Sequence, residues 1–187
     1  MIDGNNYVVL NFDGAANPNH AVTHPLYPTT RTACGFVVKS ASGQLLHREG
    51  VFLGNGTSNT AELYGCLLGV TWCLRNRFQR LKLRGDSENV IGYVTGRYKI
   101  PRHLPHLARV LYQLSLVLAV EIVPVTVSGI AGVAHDRRFR LIEGDPTRVT
   151  AIEVQHVHES RNKEADRLAT RALESRDADE ATSFPRR

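Results

Sequence analysis

Long apolar runs, paired cysteines and an N-terminal signal are all missing from this sequence of 187 residues. The longest apolar stretch, residues 111–127, is interrupted by polar residues and a proline, so no segment reaches the length of a membrane-spanning helix. The three cysteines, Cys34, Cys66 and Cys73, form neither a CxxC pair nor a zinc-ligand spacing, and we interpret them as buried free thiols. The first residues, MIDGNNYVVLNFDG, contain no basic segment before an apolar one. We therefore expect an intracellular protein without a secretion signal, and the sequence does not distinguish cytoplasm from nucleus.

What is present is a modest basic excess. The chain has 23 Lys and Arg residues against 18 Asp and Glu residues, which gives a formal net charge of +5 at pH 7. This charge suits a polyanionic partner without requiring one. A hydrophobic content of 42% is ordinary for a globular protein, and the length fits one domain. We predict a single domain over residues 1–174 and a disordered, charged tail over residues 175–187.

Strand patterns dominate the first third of the chain, and helical patterns then alternate with strands. We predict a long loop at residues 20–32 and strands at residues 7–12, 33–40, 44–53, 81–84, 121–127 and 150–157. Helices are predicted to start after a cap at Ser58 or Asn59 and to cover residues 87–95, 105–120 and 162–174. This order predicts an α/β fold with a mixed sheet and helices on its faces.

Four acids fall at the junctions between these elements: Asp13, Glu62, Asp86 and Asp166. Strand ends and helix starts converge on one edge of such a sheet, so the four carboxylates are expected to meet there. Like charges in a cluster raise one another's pKa, and hard cations such as Mg²⁺ relieve that repulsion through oxygen ligands. Each acid alone also has a structural explanation, as a turn residue, a helix cap or a partner of the helix dipole.

Four sequence segments resemble the motifs of the type I ribonuclease H family, in its plant and archaeal branch. They are NFDGAANPN, TSNTAEL, LRGDSENVIGYVTGRYK and HVHESRNKEADRLA, in that order along the chain. The resemblance implies a ribonuclease H-like fold, with a five-stranded mixed sheet in the order 3-2-1-4-5 and helices on both faces. It also implies an insertion at about residues 128–148, before the last strand.

The same resemblance implies an endonuclease that cuts the RNA strand of an RNA/DNA hybrid with two Mg²⁺ ions, for which Mn²⁺ can substitute. Two ions about 3.5–4 Å apart can activate a water and stabilise the leaving oxygen. Asp13 would bridge both ions, Glu62 and Asp86 would bind one, and Asp166 would help to hold the other.

A catalytic histidine is also implied by the resemblance. His156 occupies the position of the family's mobile histidine, which assists product release or proton transfer, and Asn162 that of the family's asparagine. His158 stands where many relatives carry proline. A single histidine at a strand end can equally be a structural group, and this alternative remains open for His156.

Substrate contacts are implied at two segments. Thr57 would support a phosphate, and Ser58 and Asn59 would reach 2′-hydroxyls, the groups that distinguish RNA from DNA. Ser58 replaces the family's usual asparagine and has a shorter reach. The main chain at a second segment would face the RNA backbone, at Gly14, Ala15 and Asn17.

Departures from the family leave other functions open. The basic segment 97–109 could contact phosphates or be a solvated helix end, and it lacks the tryptophan-rich protrusion of the classical enzymes. The chain could therefore be a nucleic-acid-binding or scaffold module with little catalysis, or a nuclease of the same fold that acts on structured or duplex RNA. We expect a monomer that binds the RNA/DNA hybrid and no membrane.

Overall fold

The computed structural model describes residues 7–23, 28–102, 104–118, 120–122, 139–141 and 151–183. Within these ranges the chain forms seven strands and four helices. In chain order they are β1 (Val8–Thr23), β2 (Pro28–Ser40), β3 (Leu45–Gly56), α1 (Ser58–Arg75), β4 (Arg80–Gly85), α2 (Glu88–Val94), α3 (Pro105–Leu118), β5 (Val120–Ile122), β6 (Phe139–Leu141), β7 (Ala151–His156) and α4 (Lys163–Ser183). A short 3₁₀ turn, Glu159–Arg161, lies between β7 and α4.

Five strands form the main sheet, in the order β3-β2-β1-β4-β7. β1, β2 and β3 pair antiparallel, whereas β4 runs parallel to β1 and β7 runs parallel to β4. This topology confirms the predicted mixed sheet, with β7 as its fifth strand. Of the predicted strand at residues 121–127, residues 121–122 belong to β5, which pairs with β6 in a separate two-stranded sheet, and residues 123–127 lie outside the described residues. Of the predicted insertion at residues 128–148, only β6 lies within the described residues.

The predicted loop at residues 20–32 is largely strand. β1 continues to Thr23 and β2 begins at Pro28, and Val22 pairs with Thr29 after a register irregularity. The segment is rich in threonine, which is β-branched and is common in strands. Pro28 is the first residue of β2, where a missing N–H is tolerated.

Helix α4 extends beyond its predicted end at Glu174 and reaches Ser183. The predicted disordered tail is therefore helical over residues 175–183, and residues 184–187 lie outside the described part of the chain. No glycine or proline occurs between Asn162 and Ser183, and Pro185 lies just beyond the helix. Neither α4 nor any other helix in the described ranges is long and apolar enough to cross a membrane.

Helices cover both faces of the main sheet. Alternate residues of β1, including Leu10 and Phe12, pack in one core cluster with side chains of α1, α2 and α3. On the other face, a Cβ atom at Gly35 of β2 would collide with Ala165 O of α4. Such close approaches need glycine, because no larger residue leaves room for the helix backbone. The two faces thus bring α1 and α4 to opposite sides of the same strands, as predicted.

Candidate metal centre at the edge of the sheet

Three of the predicted acids converge where the pairing of β1 with β4 ends. Asp86 follows β4, whereas Asp13 lies within β1, which continues to Thr23, and not at the end of a strand as predicted. One oxygen each of Asp13, Glu62 and Asp86 lies within 4.8 Å of the other two. β1 and β4 are parallel neighbours with Asn11 opposite Arg84, so Asp13 and Asp86 each follow that pair by two residues. Parallel pairing therefore places these two carboxylates side by side at one edge, where ligands of α/β sheets commonly bind.

Glu62 joins them because α1 packs closely on β1. A Cβ atom at Gly14 would lie 2.5 Å from Glu62 N, so only glycine permits this approach. The helix begins after Thr57, whose side-chain Oγ1 accepts a hydrogen bond from Thr60 N at 3.2 Å. The cap is therefore Thr57 and not Ser58 or Asn59 as predicted. A threonine hydroxyl in extended backbone serves as well as the predicted residues.

The pKa values of two acids in the cluster, Asp13 and Glu62, are strongly raised. Burial, followed by the charge of Asp86, raises the pKa of Asp13 to about 7, although Gly14 N donates a 2.7 Å hydrogen bond to its Oδ1. Burial, followed by the charges of Asp13 and Asp86, raises the pKa of Glu62 to about 8. Both directions follow from placing like charges in a poorly solvated site.

One carboxylate oxygen of the cluster is buried without a hydrogen-bond partner among the described residues. This atom is Glu62 Oε2, and only 6% of the residue is exposed. The side chain of Ser87 hydrogen-bonds Glu62 and also caps α2 by accepting from Val90 N at 3.3 Å. An orphaned anionic oxygen is costly, and a hard divalent cation would satisfy it. The residues present therefore fit a Mg²⁺-type ion.

Asp166, in the first turn of α4, lies outside this compact trio but borders the same cavity. Its charge is one of the causes that raise the pKa of Asp13. The open cavity has a volume of about 490 Å³ and is lined by Asp13, Gly14, Ser58, Glu62, Asp86, Ser87, Glu159, Lys163 and Asp166. All four predicted acids thus face one cavity, three of them within direct reach of a single ion.

Asn162 connects the elements that carry the acids. Its Nδ2 donates to Asp86 Oδ1 at 3.0 Å and to Phe12 O at 2.9 Å, and its Oδ1 accepts from Asn11 Nδ2 at 3.1 Å. Its main-chain oxygen accepts from Asp166 N at 3.2 Å. Asn162 is only 1% exposed, and its bond to Phe12 O is buried. The sequence identified Asn162 only by its position in a motif, without a role.

The two histidines have different environments. His156 ends β7, and its Nε2 lies 2.9 Å from Asp86 O, outside the cavity lining. His158 caps the 3₁₀ turn, since its Nδ1 accepts from Ser160 N at 3.2 Å. His158 is therefore a structural residue at the position where proline is common, whereas His156 contacts the main chain of the third acid.

The predicted substrate residues divide into two groups. Gly14 and Ser58 line the cavity. The others lie outside the lining: Ala15 and Asn17 on β1, Thr57 at the cap of α1, and Asn59 in the first turn of α1. Sequence reasoning missed three lining residues: Ser87, Glu159 and Lys163. Their nearness to motif acids in the sequence was the available signal.

The predicted basic segment 97–109 is partly neutralised by an acid. Arg97 lies over the ring of Tyr98 at 4.9 Å and 3.7 Å from Glu88 Oε1, and the Tyr98 hydroxyl donates to that same oxygen at 2.9 Å. Arg102 and Arg109 are exposed. His103, which belongs to the same segment, lies outside the described residues.

A family model described as reverse transcriptase-like matches residues 22–119, more than half of the chain. This match includes Glu62 and Asp86 but leaves out Asp13 and Asp166. No curated protein sequence matches the chain.

Several solved structures of ribonucleases H have a similar fold. RNase H1 from the halophilic archaeon Halobacterium salinarum is 24% identical with a TM-score of 0.66, and the alignment covers 90% of this chain and 98% of that one. The N-terminal RNase H domain of Rv2228c from Mycobacterium tuberculosis is 22% identical with a TM-score of 0.66, over 91% and 95% of the two chains. LC11-RNase H1, solved with an RNA/DNA hybrid, is 17% identical with a TM-score of 0.61, over 90% and 97%. The architecture is therefore the ribonuclease H fold.

Proposed function

Because this chain belongs to the reverse transcriptase-like family and has the ribonuclease H fold, we propose that it is a metal-dependent endonuclease that hydrolyses the RNA strand of an RNA/DNA hybrid. The observation that carries the proposal is the trio Asp13, Glu62 and Asp86, with its unpartnered Glu62 oxygen. A structural role would not explain the burial of mutually repelling carboxylates, because such burial destabilises the metal-free fold. LC11-RNase H1, of the same fold, was solved with an RNA/DNA hybrid.

Mg²⁺ is the proposed cofactor, and Mn²⁺ would substitute for it. Asp13, Glu62 and Asp86 would hold one ion, and Asp13 together with Asp166 would hold a second. When bound, two such ions supply Lewis acidity and an activated water for phosphodiester hydrolysis. The chain itself orients the carboxylates. Asn162 hydrogen-bonds both Asp86 and the main chain of β1, and Ser87, the cap of α2, hydrogen-bonds Glu62 of α1.

The remaining proposed roles concern the substrate and the proton. Ser58 lines the cavity at the start of α1, where its hydroxyl would meet a 2′-hydroxyl, and Gly14 would present its main chain to the RNA backbone. Thr57, Asn59, Ala15 and Asn17 would extend that contact outside the cavity. His156 is the proposed proton-transfer or product-release group, because its exposed ring already lies beside Asp86. All these residues belong to one chain, so a monomer would suffice.

The test is cleavage of a labelled RNA/DNA hybrid in Mg²⁺ or Mn²⁺, with duplex RNA, duplex DNA and single-stranded RNA in parallel. We expect the wild type to cut only the RNA strand of the hybrid, and the Asp13→Asn variant and EDTA each to abolish cleavage. Equal activity of wild type and Asp13→Asn would refute the proposal. Hybrid binding without cleavage would instead support a binding module, and preference for duplex RNA would indicate a nuclease of different specificity.

A further inference from the structure

Lys163 is the only cationic side chain among the nine residues that line the carboxylate cavity. It is the first residue of α4, and Asp166 follows three positions later on the adjacent helix turn. The lysine is exposed and has no hydrogen-bond or ion-pair partner in the described part of the chain, although Glu159 and Asp166 border the same cavity. Its neighbour Glu164 is engaged elsewhere, 2.6 Å from Lys39 Nζ.

Helix stability does not explain a lysine at this position. The N-terminal end of a helix carries partial positive charge, so acids are favoured there and a lysine is disfavoured. Glu164 and Asp166 follow the usual preference in the first turn of α4, whereas Lys163 opposes it. An unpaired cation that is unfavourable for its own helix and faces an anionic cavity indicates a role in binding.

We infer that Lys163 binds a non-bridging phosphate oxygen of the RNA strand at the mouth of the carboxylate cavity. This inference rests on the proposed function and adds to it a phosphate contact supplied by α4. Five carboxylates border the cavity: Asp13, Glu62, Asp86, Glu159 and Asp166. Together these carboxylates repel a phosphodiester. Two divalent ions would neutralise four of the five negative charges, and the ammonium of Lys163 would neutralise the fifth. A lysine ammonium is a compact charge that pairs with phosphate without a fixed geometry.

The experiment compares Lys163→Met, Lys163→Arg and Arg171→Met. Arg171 is a matched control, because it is exposed on the same helix, two turns farther along and outside the cavity lining, and its substitution removes the same charge. KM and kcat are measured on the hybrid in Mg²⁺. Hybrid binding is measured by fluorescence anisotropy at increasing salt, with every substitution placed in an Asp13→Asn background that prevents cleavage.

We expect Lys163→Met to weaken hybrid binding about tenfold and to reduce the slope of log Kd against log salt by about 0.7–0.9, the value for one lost phosphate contact. Lys163→Arg should keep the slope, and Arg171→Met should stay within about twofold of the parent, as expected for a surface position without a contact. An identical slope for Lys163→Met and Arg171→Met would overturn the inference.

The two proposals can fail separately. If the wild type cleaves the hybrid and Asp13→Asn does not, but Lys163→Met behaves like Arg171→Met, the nuclease proposal stands and the lysine contact is wrong. If the wild type does not cleave but Lys163→Met still lowers the salt slope, the phosphate contact stands and the catalytic proposal is wrong.

Discussion

Removing one charge from the buried acid cluster should stabilise the metal-free protein. Asp13→Asn keeps the shape of the side chain and the oxygen that accepts from Gly14 N. Asp13 has a pKa of about 7 in the fold against an ordinary value of 3.8, because burial and the charge of Asp86 disfavour its ionised form. The asparagine avoids that penalty because it cannot ionise.

The sign and size of the effect follow from proton linkage. The unfolded chain loses the Asp13 proton above about pH 4, whereas the folded protein keeps it until about pH 7. The metal-free wild type therefore loses stability as the pH rises from about 4 to about 7, and this loss is complete above pH 7. A difference of about three pKa units corresponds to about 4 kcal/mol. The cavity is open, so solvent screens part of this cost, and Glu62 ionises at a smaller penalty in the variant, so we expect a stabilisation of about 2–4 kcal/mol.

The assay is thermal unfolding in EDTA at pH 4 and pH 8, followed by circular dichroism. At pH 8 the variant should melt roughly 5–15 °C above the wild type, given about 2–4 °C per kcal/mol at this chain length, and the two should nearly coincide at pH 4. Mg²⁺ should narrow the gap at pH 8, because an ion that binds only the folded wild type stabilises it.

A matched control separates this effect from a general loss of charge. Glu174→Gln removes one negative charge from an exposed position of α4 and should change stability by less than about 0.5 kcal/mol. The reasoning is refuted if Asp13→Asn is no more stable than the wild type in EDTA at pH 8, or if its advantage is the same at pH 4.

Two further substitutions test the packing around the cluster. Asn162→Ala removes the donor to Asp86 and leaves Phe12 O without that bond, so we expect a loss of about 2–4 kcal/mol in urea unfolding and weaker Mg²⁺ binding by calorimetric titration. Unchanged Mg²⁺ affinity would show that Asp86 does not depend on Asn162. Gly35→Ala places a methyl group against Ala165 O and should cost about 1–3 kcal/mol in the same unfolding assay. A change below about 0.5 kcal/mol would mean that α4 can move away without penalty.

The main sheet and the positions of the acids were predictable because they depend on short-range patterns. Alternating strand residues, the turn chemistry after β2 and the helical periodicity of α1 specify the order of the elements. Because β1 and β4 are parallel neighbours with Asn11 opposite Arg84, Asp13 and Asp86 lie at the same edge of the paired strands. The ribonuclease H fold expected from the motifs is confirmed by the sheet order and by the structural matches.

Other features depend on contacts between distant residues, and the sequence did not reveal them. Asn162 and Asp86 are hydrogen-bonded although 76 positions separate them, and no local pattern identifies an asparagine as such a link. The outer halves of β1 and β2 were predicted as loop because proline and threonine resemble turn chemistry. Their strand character comes from pairing with each other, as between Val22 and Thr29. The helical tail of α4 was missed because its charged composition also fits disorder.

The cavity depends on the packing of two helices, α1 and α4, against opposite faces of one sheet. Glu62 arrives on α1 from one face, whereas Asp166 and its neighbour Asn162 arrive with α4 from the other. If α4 lifted off the sheet with its helical turns intact, the cavity would lose its fourth acid and the hydrogen bonds that hold its third. Activity would therefore depend on whether α4 is packed on the sheet. Far-UV circular dichroism would be the same in both states, because the helix itself remains folded.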